Sequence, residues 1–265
     1  MKTVLANIVA IYQRELQSYF LTPWAYIVAA IFWIISGLFF WAIFPQMLQA
    51  STMAAQMGAE GQPAVDYAYI FLTQFLSSIG GLPLFSILPI LSMGLYSEER
   101  KRGTLELLAT SPITNWAVAS GKLLAVVTFF VTLLLPVVLY ELFALAKAEP
   151  PISLLIFFWG HFGLVLMAAA LLSLGMFISS LTDSTIVAAI ATYGLIMLIS
   201  IIGFIADRDT GVVGAILSHL SPLKHFEGFA RGRLDTSSLV LFSSYIFLGI
   251  FLTAQSIETF RFQRS

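Results

Sequence analysis

Long runs of apolar residues alternate with shorter polar stretches along the whole chain. A helix rises about 1.5 Å per residue, so each of six such runs is long enough to cross the roughly 30 Å hydrocarbon core of a bilayer. The pattern predicts an all-α polytopic membrane protein in which residues 1–265 form one transmembrane domain. The six predicted spans are residues 24–44, 67–96, 123–146, 152–181, 185–206 and 236–257.

The second apolar run is too long for one straight span, and glycines and prolines interrupt it between residues 80 and 89. These residues predict a kink around 80–83 that divides the span. Broken helices often line cavities, which makes three polar side chains of this run candidates for a substrate path. They are Gln74, Ser77 and Ser78. Packing against neighbouring helices is the alternative role for the same side chains.

Small residues cluster in the second half of span four, and this composition favours close packing against other helices. They are Ser173, Gly175, Ser179 and Ser180. Asp183 and Ser184 then mark a tight turn, so spans four and five are predicted to form an antiparallel hairpin.

The N-terminal segment, residues 1–22, has an amphipathic pattern. Apolar side chains such as Ile8, Tyr12 and Leu16 recur at helical spacing, while Arg14 and Gln17 lie largely opposite. This pattern predicts an interfacial helix along the cytoplasmic headgroups. The alternative is a simple lead-in to the first span. Charged residues interrupt the apolar run before it reaches signal-peptide length, so no cleavable signal is expected.

The polar stretch 97–122 separates spans two and three and combines charges of both signs with helix-start signals. Gly103 gives the backbone freedom to turn, and Thr104 can then cap a short helix over residues 105–110. Pro112 ends that helix.

Other features of the same stretch fit a helix that lies outside the membrane. Glu106 falls in the first turn, where the helix dipole favours a negative charge, and the leucines beside it form an apolar face. Thr114 or Asn115 can cap the helix that leads into span three. The alternative is a basic loop that only anchors two membrane helices on the cytoplasmic side.

Residues 100–113 read RKRGTLELLATSPI and are followed by Gly121 and Lys122. This order resembles the cytoplasmic signature of type-2 ATP-binding-cassette exporter permeases, especially the small gliding-motility and copper-enzyme-maturation permeases. The resemblance extends over nearly the whole chain in the order of its segments. It implies that residues 104–111 are a coupling helix that sits in a groove of a separate ATPase subunit. The coupling residues implied are Glu98, Glu99, Arg100, Gly103, Thr104, Leu105, Glu106, Leu107, Leu108, Ser111 and Pro112.

Residues 207–235 form a second long polar stretch, between spans five and six. Read from the residues alone, it is an outer loop lying on the surface. By resemblance to the same permeases, it is an outer re-entrant segment whose short helices dip back toward the membrane and cover the exit. The outer gate candidates are His225, Phe226, Gly228, Phe229 and Arg231.

Two ionisable residues lie in or near the predicted spans. Glu141 is close in sequence to Lys147 and Glu149, so it is predicted to be interfacial. His161 lies alone in span four, and a single histidine without a partner is typical of a hydrogen-bonded packing residue. The spacing of His219, His225 and Glu227 does not predict a metal site.

Composition agrees with a membrane protein and excludes several activities. The chain has 265 residues, of which 59% are hydrophobic and 10% charged, and its mean hydropathy is +0.93. A soluble globule of this size is less apolar. The net charge of -1 does not provide the basic surface that nucleic-acid binding requires. With no cysteine, the chain cannot form disulfides, thiolate nucleophiles or cysteine metal sites.

Motifs for catalysis are also absent from the sequence. Gly121 and Lys122 are followed by Leu123, so no GxxxxGK[ST] phosphate-binding loop is present, and neither HExxH nor GxSxG occurs. We therefore expect no enzymatic activity and no cofactor bound by this chain. By the resemblance, ATP and Mg are bound by the partner ATPase.

The distribution of basic residues predicts the orientation. With both termini cytoplasmic, eight Lys and Arg residues lie inside and five lie outside. This bias follows the positive-inside rule and predicts a multi-pass protein of the plasma (inner) membrane.

Together these features predict the permease subunit of an ATP-driven exporter, with export rather than import implied by the resemblance alone. The resemblance implies an ATP-binding-cassette ATPase partner, a homodimer or a heterodimer with a similar permease, and surrounding membrane lipid. The alternatives are a non-transporting membrane scaffold or assembly subunit and a secondary transporter. The latter would need intramembrane charges or inverted repeats, which the sequence does not show.

Overall fold

The computed structural model of the protein describes residues 2–56, 66–105, 113–146, 148, 151–206, 208 and 211–262. Within these residues the secondary structure is helical throughout, with no strand. The helices are α1 (Lys2–Leu21), α2 (Pro23–Gln56), α3 (Tyr67–Gly80), α4 (Leu82–Ser92), α5 (Gly94–Lys101), α6 (Asn115–Leu145), α7 (Leu154–Leu181), α8 (Thr185–Ala206), α9 (Val212–His219), α10 (Pro222–Ala230) and α11 (Thr236–Phe262).

Six stretches of helix are long and apolar enough to cross a membrane, which confirms the predicted fold class. They are Pro23–Met53, Tyr67–Lys101, Asn115–Leu145, Leu154–Leu181, Thr185–Ala206 and Thr236–Thr259. Span one was predicted as residues 24–44, but α2 continues through Pro45 to Gln56. Neither the apolar run nor Pro45 marks the end of that helix.

Span two is broken twice. The predicted kink coincides with the boundary between α3 and α4, where Gly81 leaves the helical conformation at φ -88° and ψ -118°. A second, milder break separates α4 from α5 and was not predicted: Met93 keeps helical angles (φ -57°, ψ -37°), but the helical hydrogen bonds after it are interrupted. Here Ser179 of α7 supports the backbone: its hydroxyl accepts hydrogen bonds from the amides of Tyr96 and Ser97, both 3.1 Å, and donates to the Met93 carbonyl at 2.7 Å.

Helix α7 lies at the centre of the bundle. Of the 18 most apolar consecutive residues of α7, 72% are buried inside the protein, whereas the corresponding share is 28% in α2 and in α8. Its small residues permit this position: a Cβ at Gly175 would come within 2.8 Å of the Ser92 Cβ and 2.9 Å of the Thr192 Cγ2. The predicted close packing around the small residues of span four is therefore confirmed.

We expect Gly175→Val to destabilise the protein by about 1–3 kcal/mol, because the added atoms overpack the contact of α7 with α4 and α8. The matched control is Gly194→Val on α8, since nothing lies within 4 Å of a Cβ built at Gly194. Unfolding of both variants by SDS in mixed micelles measures the difference. Equal midpoints would contradict the packing role of Gly175.

Helix α1 confirms the helical, amphipathic part of the N-terminal prediction, but its apolar face packs on protein. Gly121 of α6 would place a Cβ 2.9 Å from Ile11, and the ring of Tyr19 stacks on Phe129 at 4.9 Å between centroids. Leu5, in contrast, is exposed. One face of the N-terminal helix therefore packs on α6. The hydrophobic spacing of α1 predicts an apolar face, but it does not show whether that face contacts another helix or the membrane surface.

Candidate functional site

The side chain of Lys122 is the centre of a buried polar junction near the start of α6. Its ammonium group donates hydrogen bonds to the Leu95 carbonyl at 2.8 Å, to Glu99 Oε1 at 3.0 Å and to Glu15 Oε1 at 3.2 Å. The ammonium nitrogen also lies 5.0 Å from the centroid of the Tyr96 ring. One cation thereby connects three helices, α1, α5 and α6. We call this part of the bundle the Lys122 end.

Local structure explains how these groups meet. Leu95 and Glu99 are four residues apart on α5 and so present their oxygens on one face. At the start of α6 the Thr114 hydroxyl accepts a hydrogen bond from the Ala117 amide, as predicted for an N-cap. The side chain of Lys122 is only 3% exposed, so its charge requires partners, and the two carboxylates provide them. From the sequence, Lys122 was predicted as part of the permease signature and as an inside basic residue, but its burial between two carboxylates was not predicted.

Helix α5 is held from its other side by α7. Besides the Ser179 contacts at Met93, the Arg100 guanidinium donates to the Ser180 carbonyl at 2.8 Å. The first part of the predicted coupling region therefore belongs to a helix that is fixed to α1, α6 and α7.

The end of α5 is a Schellman turn. The Gly103 amide donates to the Arg100 carbonyl at 3.1 Å, and the Thr104 amide donates to the Glu99 carbonyl at 3.0 Å. Gly103 adopts φ +71°, which glycine accepts without steric cost. The prediction that Gly103 permits a turn is confirmed.

The Thr104 hydroxyl donates to the Glu99 carbonyl at 3.3 Å and helps to close α5. The predicted cap at Thr104 involves the amides of residues 106 and 107, which lie outside the described residues. Leu105 follows and is 2% exposed. Glu98 pairs with Arg102 at 3.3 Å on the exposed side of α5. Five further coupling candidates lie outside the described residues: Glu106, Leu107, Leu108, Ser111 and Pro112.

At the opposite end of the bundle, α10 packs against α3 and α7. Phe226 and Phe229 are completely buried, and they lie so close to Gly80 and Gly163 respectively that neither glycine could carry a Cβ without displacing a ring. The two predicted gate phenylalanines are therefore packed into the bundle. Gly228 is half-buried and has open space on its Cα, with the nearest atom 3.9 Å from a Cβ built there.

Arg231, another gate candidate, is exposed at the end of α10. Its guanidinium lies 3.6 Å from the Glu227 carboxylate, and its carbonyl accepts a hydrogen bond from the Tyr69 hydroxyl at 3.4 Å. Tyr69 and Gly80 are eleven residues apart on α3, or ~16 Å along the helix axis. Because Phe226 reaches Gly80, α10 contacts α3 over much of its length. We call this part of the bundle the α10 end.

Both ring nitrogens of His225 have a hydrogen-bond partner. Its Nε2 lies 3.0 Å from the His219 carbonyl, which can only accept, so Nε2 carries the proton. Its Nδ1 lies 2.8 Å from the Ser238 hydroxyl and accepts from it. Burial lowers the pKa of His225 below the ordinary histidine value, which favours this neutral form.

The three substrate-path candidates lie together on α3. Gln74 is exposed, Ser77 is half-buried, and the Ser78 hydroxyl donates to the Gln74 carbonyl at 2.8 Å. Their helix packs against α2, α4 and α10. Their role in a substrate path stays a prediction.

Glu141 and His161 form a buried pair between α6 and α7. Glu141 Oε2 lies 3.1 Å from His161 Nε2, although the angles depart from those of an aligned hydrogen bond, and Glu141 is 0% exposed. His161 is the hydrogen-bonded packing residue that was predicted, with Nδ1 2.9 Å from the Phe157 carbonyl, but its contact with Glu141 was not predicted. The interfacial depth of Glu141 stays a prediction. The end of α6 and the start of α7 lie side by side. The closeness of Glu141 to Lys147 in the sequence does not reveal that contact between the helices. Among the described residues no group of three His, Asp or Glu side chains could hold a metal ion.

Comparison with known proteins gives two findings. Residues 9–254 match the family described as ABC-2 family transporter protein. The chain is also similar to the probable multidrug ABC transporter permease YbhR of Escherichia coli strain K12, with 27% identity over 174 residues, or 64% of this chain. The same protein of Escherichia coli O157:H7 matches equally. The aligned segment is 44% of each relative, so the chain spans less than half the length of the curated relatives it matches.

Proposed function

The chain belongs to the ABC-2 family of transporter proteins, and from this premise we propose that it is the permease subunit of an ATP-driven exporter. A separate ATP-binding-cassette ATPase subunit docks on residues 104–111 and binds the ATP and Mg. Two copies of the permease, or one copy with a similar permease, pair with two ATPase subunits.

The observation that supports this proposal is the attachment of α5. The proposed docking segment begins where α5 ends, at the Schellman turn of Gly103. Force applied to the segment therefore acts first on a short helix whose contacts reach Lys122 on one side and α7 on the other. A loop that served only as a topological anchor would not require a buried, fully paired lysine beneath it.

Helix α7 connects the two ends of the bundle. Ser179 and Ser180 contact α5, and Gly163 contacts Phe229 of α10. These residues are separated by about 25 Å of continuous helix. We infer that a displacement of α5 shifts α7 and, through it, α10, which dips back toward the membrane and covers the exit. In this arrangement the Lys122 end and both termini are cytoplasmic, and the protein is in the plasma (inner) membrane.

A single cysteine tests the docking segment, because the chain has none of its own. Glu106→Cys is expected to crosslink in native membranes to an ATP-binding-cassette ATPase, identified by mass spectrometry. The control is Gly37→Cys on α2, where nothing lies within 4 Å of a built Cβ. It should capture no ATPase.

The proposal fails if the cysteine at position 106 reacts freely with soluble thiol reagents and captures no ATPase. The segment would then be a basic anchor. Capture of a different membrane protein in place of an ATPase would favour a non-transporting scaffold subunit.

A further inference from the structure

A cleft of about 670 Å³ opens beside Lys122, between α1, the start of α2 and the break from α4 to α5. Its size lies within the ~300–1,000 Å³ that is usual for small-molecule sites. The cleft has a charged half and an apolar half. The proposed coupling mechanism assigns no role to the apolar half or to the empty volume of the cleft.

The charged half contains equal numbers of cations and anions. The basic residues are Arg14, Arg102 and Lys122, and the acidic ones are Glu15, Glu98 and Glu99. Lys122 is occupied by its two carboxylates and is 3% exposed, whereas the side chains of Arg14, Arg102 and Glu98 are 72%, 73% and 54% exposed. These three exposed groups can therefore contact a ligand at the rim. Their charges suit a molecule that carries one negative and one positive group.

The apolar half extends from this rim into the predicted membrane region. It is lined by Trp24, Ala25, Val28, Ile90 and Leu91. Val28 lies five residues beyond Pro23, or ~8 Å along α2. Among these side chains, a hydrocarbon chain would meet apolar atoms on both α2 and α4.

We propose that this cleft binds a phospholipid with a zwitterionic headgroup that ends in a primary ammonium. Arg14 and Arg102 contact the phosphate, Glu98 accepts hydrogen bonds from the ammonium, and one acyl chain lies between α2 and α4. A purely anionic headgroup would leave Glu98 facing like charge, and a quaternary ammonium has no N–H to donate to it. The proposal requires the Lys122 end to lie at a membrane surface, and it does not depend on a docked ATPase.

Gly94 allows the cleft to be filled with little other change. It lines the cleft, and the nearest atoms to a Cβ built on it belong to the flexible side chain of Glu98, at 3.2 Å. Gly94→Leu therefore places a side chain in the space, and the first group that it displaces is the flexible side chain of Glu98. Gly37→Leu makes the same substitution on α2 where nothing lies within 4 Å, and it serves as the control.

The experiment uses the full-length protein in vesicles that contain phosphatidylethanolamine with a photoreactive diazirine on one acyl chain. Mass spectrometry of the crosslinked peptides is expected to find adducts within residues 18–28 and 90–95. Gly94→Leu should reduce these adducts about tenfold, equivalent to ~1.4 kcal/mol of binding. Gly37→Leu should leave them unchanged. Unlabelled phosphatidylethanolamine should compete better than phosphatidylglycerol or phosphatidylcholine.

A second variant separates loss of the ligand from loss of the fold. Glu98→Gln keeps the cleft volume, so adducts should remain at the same peptides while the preference over phosphatidylcholine disappears. The proposal is overturned if adducts follow only the exposed lipid-facing helices, if Gly94→Leu does not reduce them, or if phosphatidylglycerol competes equally well. Failure of ATPase capture at position 106 would leave all of these results unchanged, so the two proposals fail separately.

Discussion

Replacing Lys122 with methionine is expected to lower the free energy of unfolding by about 3 kcal/mol, near the lower limit for a broken buried ion pair. The substitution keeps the unbranched shape of the side chain, shortens it by one atom and removes its charge. Glu15 and Glu99, whose side chains are only 15% exposed, would then face each other without the cation that lies 3.2 and 3.0 Å away. Arg14, 4.0 Å from Glu99, is largely exposed and compensates only in part. Denaturation by SDS in mixed micelles measures the loss.

The matched control is Arg102→Met at the same end of the bundle. Arg102 pairs with Glu98 at 3.3 Å, but both side chains are more than half exposed, so its loss should cost no more than about 1 kcal/mol. Adding Glu15→Gln to Lys122→Met should restore part of the stability, because one uncompensated charge is removed. Equal losses for the lysine and arginine variants would contradict the junction described for Lys122.

His161→Leu is expected to cost about 3–5 kcal/mol, because it leaves the carboxylate of Glu141 completely buried without its partner. His161 Nδ1 lies 2.9 Å from the Phe157 carbonyl, so it carries a proton and donates there. The opposite nitrogen, Nε2, faces Glu141, and one further proton shared between Nε2 and the carboxyl group gives attraction. A leucine cannot share that proton.

A double-mutant cycle tests this pair. The double variant with Glu141→Leu and His161→Leu should be more stable than His161→Leu alone, because no charge is left buried. Glu141→Leu alone should cost less than His161→Leu, since a neutral histidine is less costly to bury than a carboxylate. Additive effects of the two substitutions would show that the side chains do not interact.

Local signals allowed several elements to be predicted from the sequence. Hydropathy gave the six spans, the glycines and Pro83 gave the break near residue 81, and Gly103 and Thr114 marked the turn and the cap at which α5 ends and α6 begins. Each of these signals acts within a few residues of the chain. The second break, at Met93, is supported by the hydroxyl of Ser179 from another helix, a contact that no local signal predicts.

The sequence by itself determined which segments are helices long enough to span a membrane, because length, hydropathy and capping are local properties. Only the tertiary structure decided how the ionisable residues are paired. Lys122 meets Glu15 across 107 positions of sequence, and Glu141 meets His161 across a helix boundary. An apolar helix face looks the same in sequence whether it contacts lipid or another helix. The pairing of buried charges therefore depends on which helices lie side by side, and that arrangement is set by packing across the whole bundle.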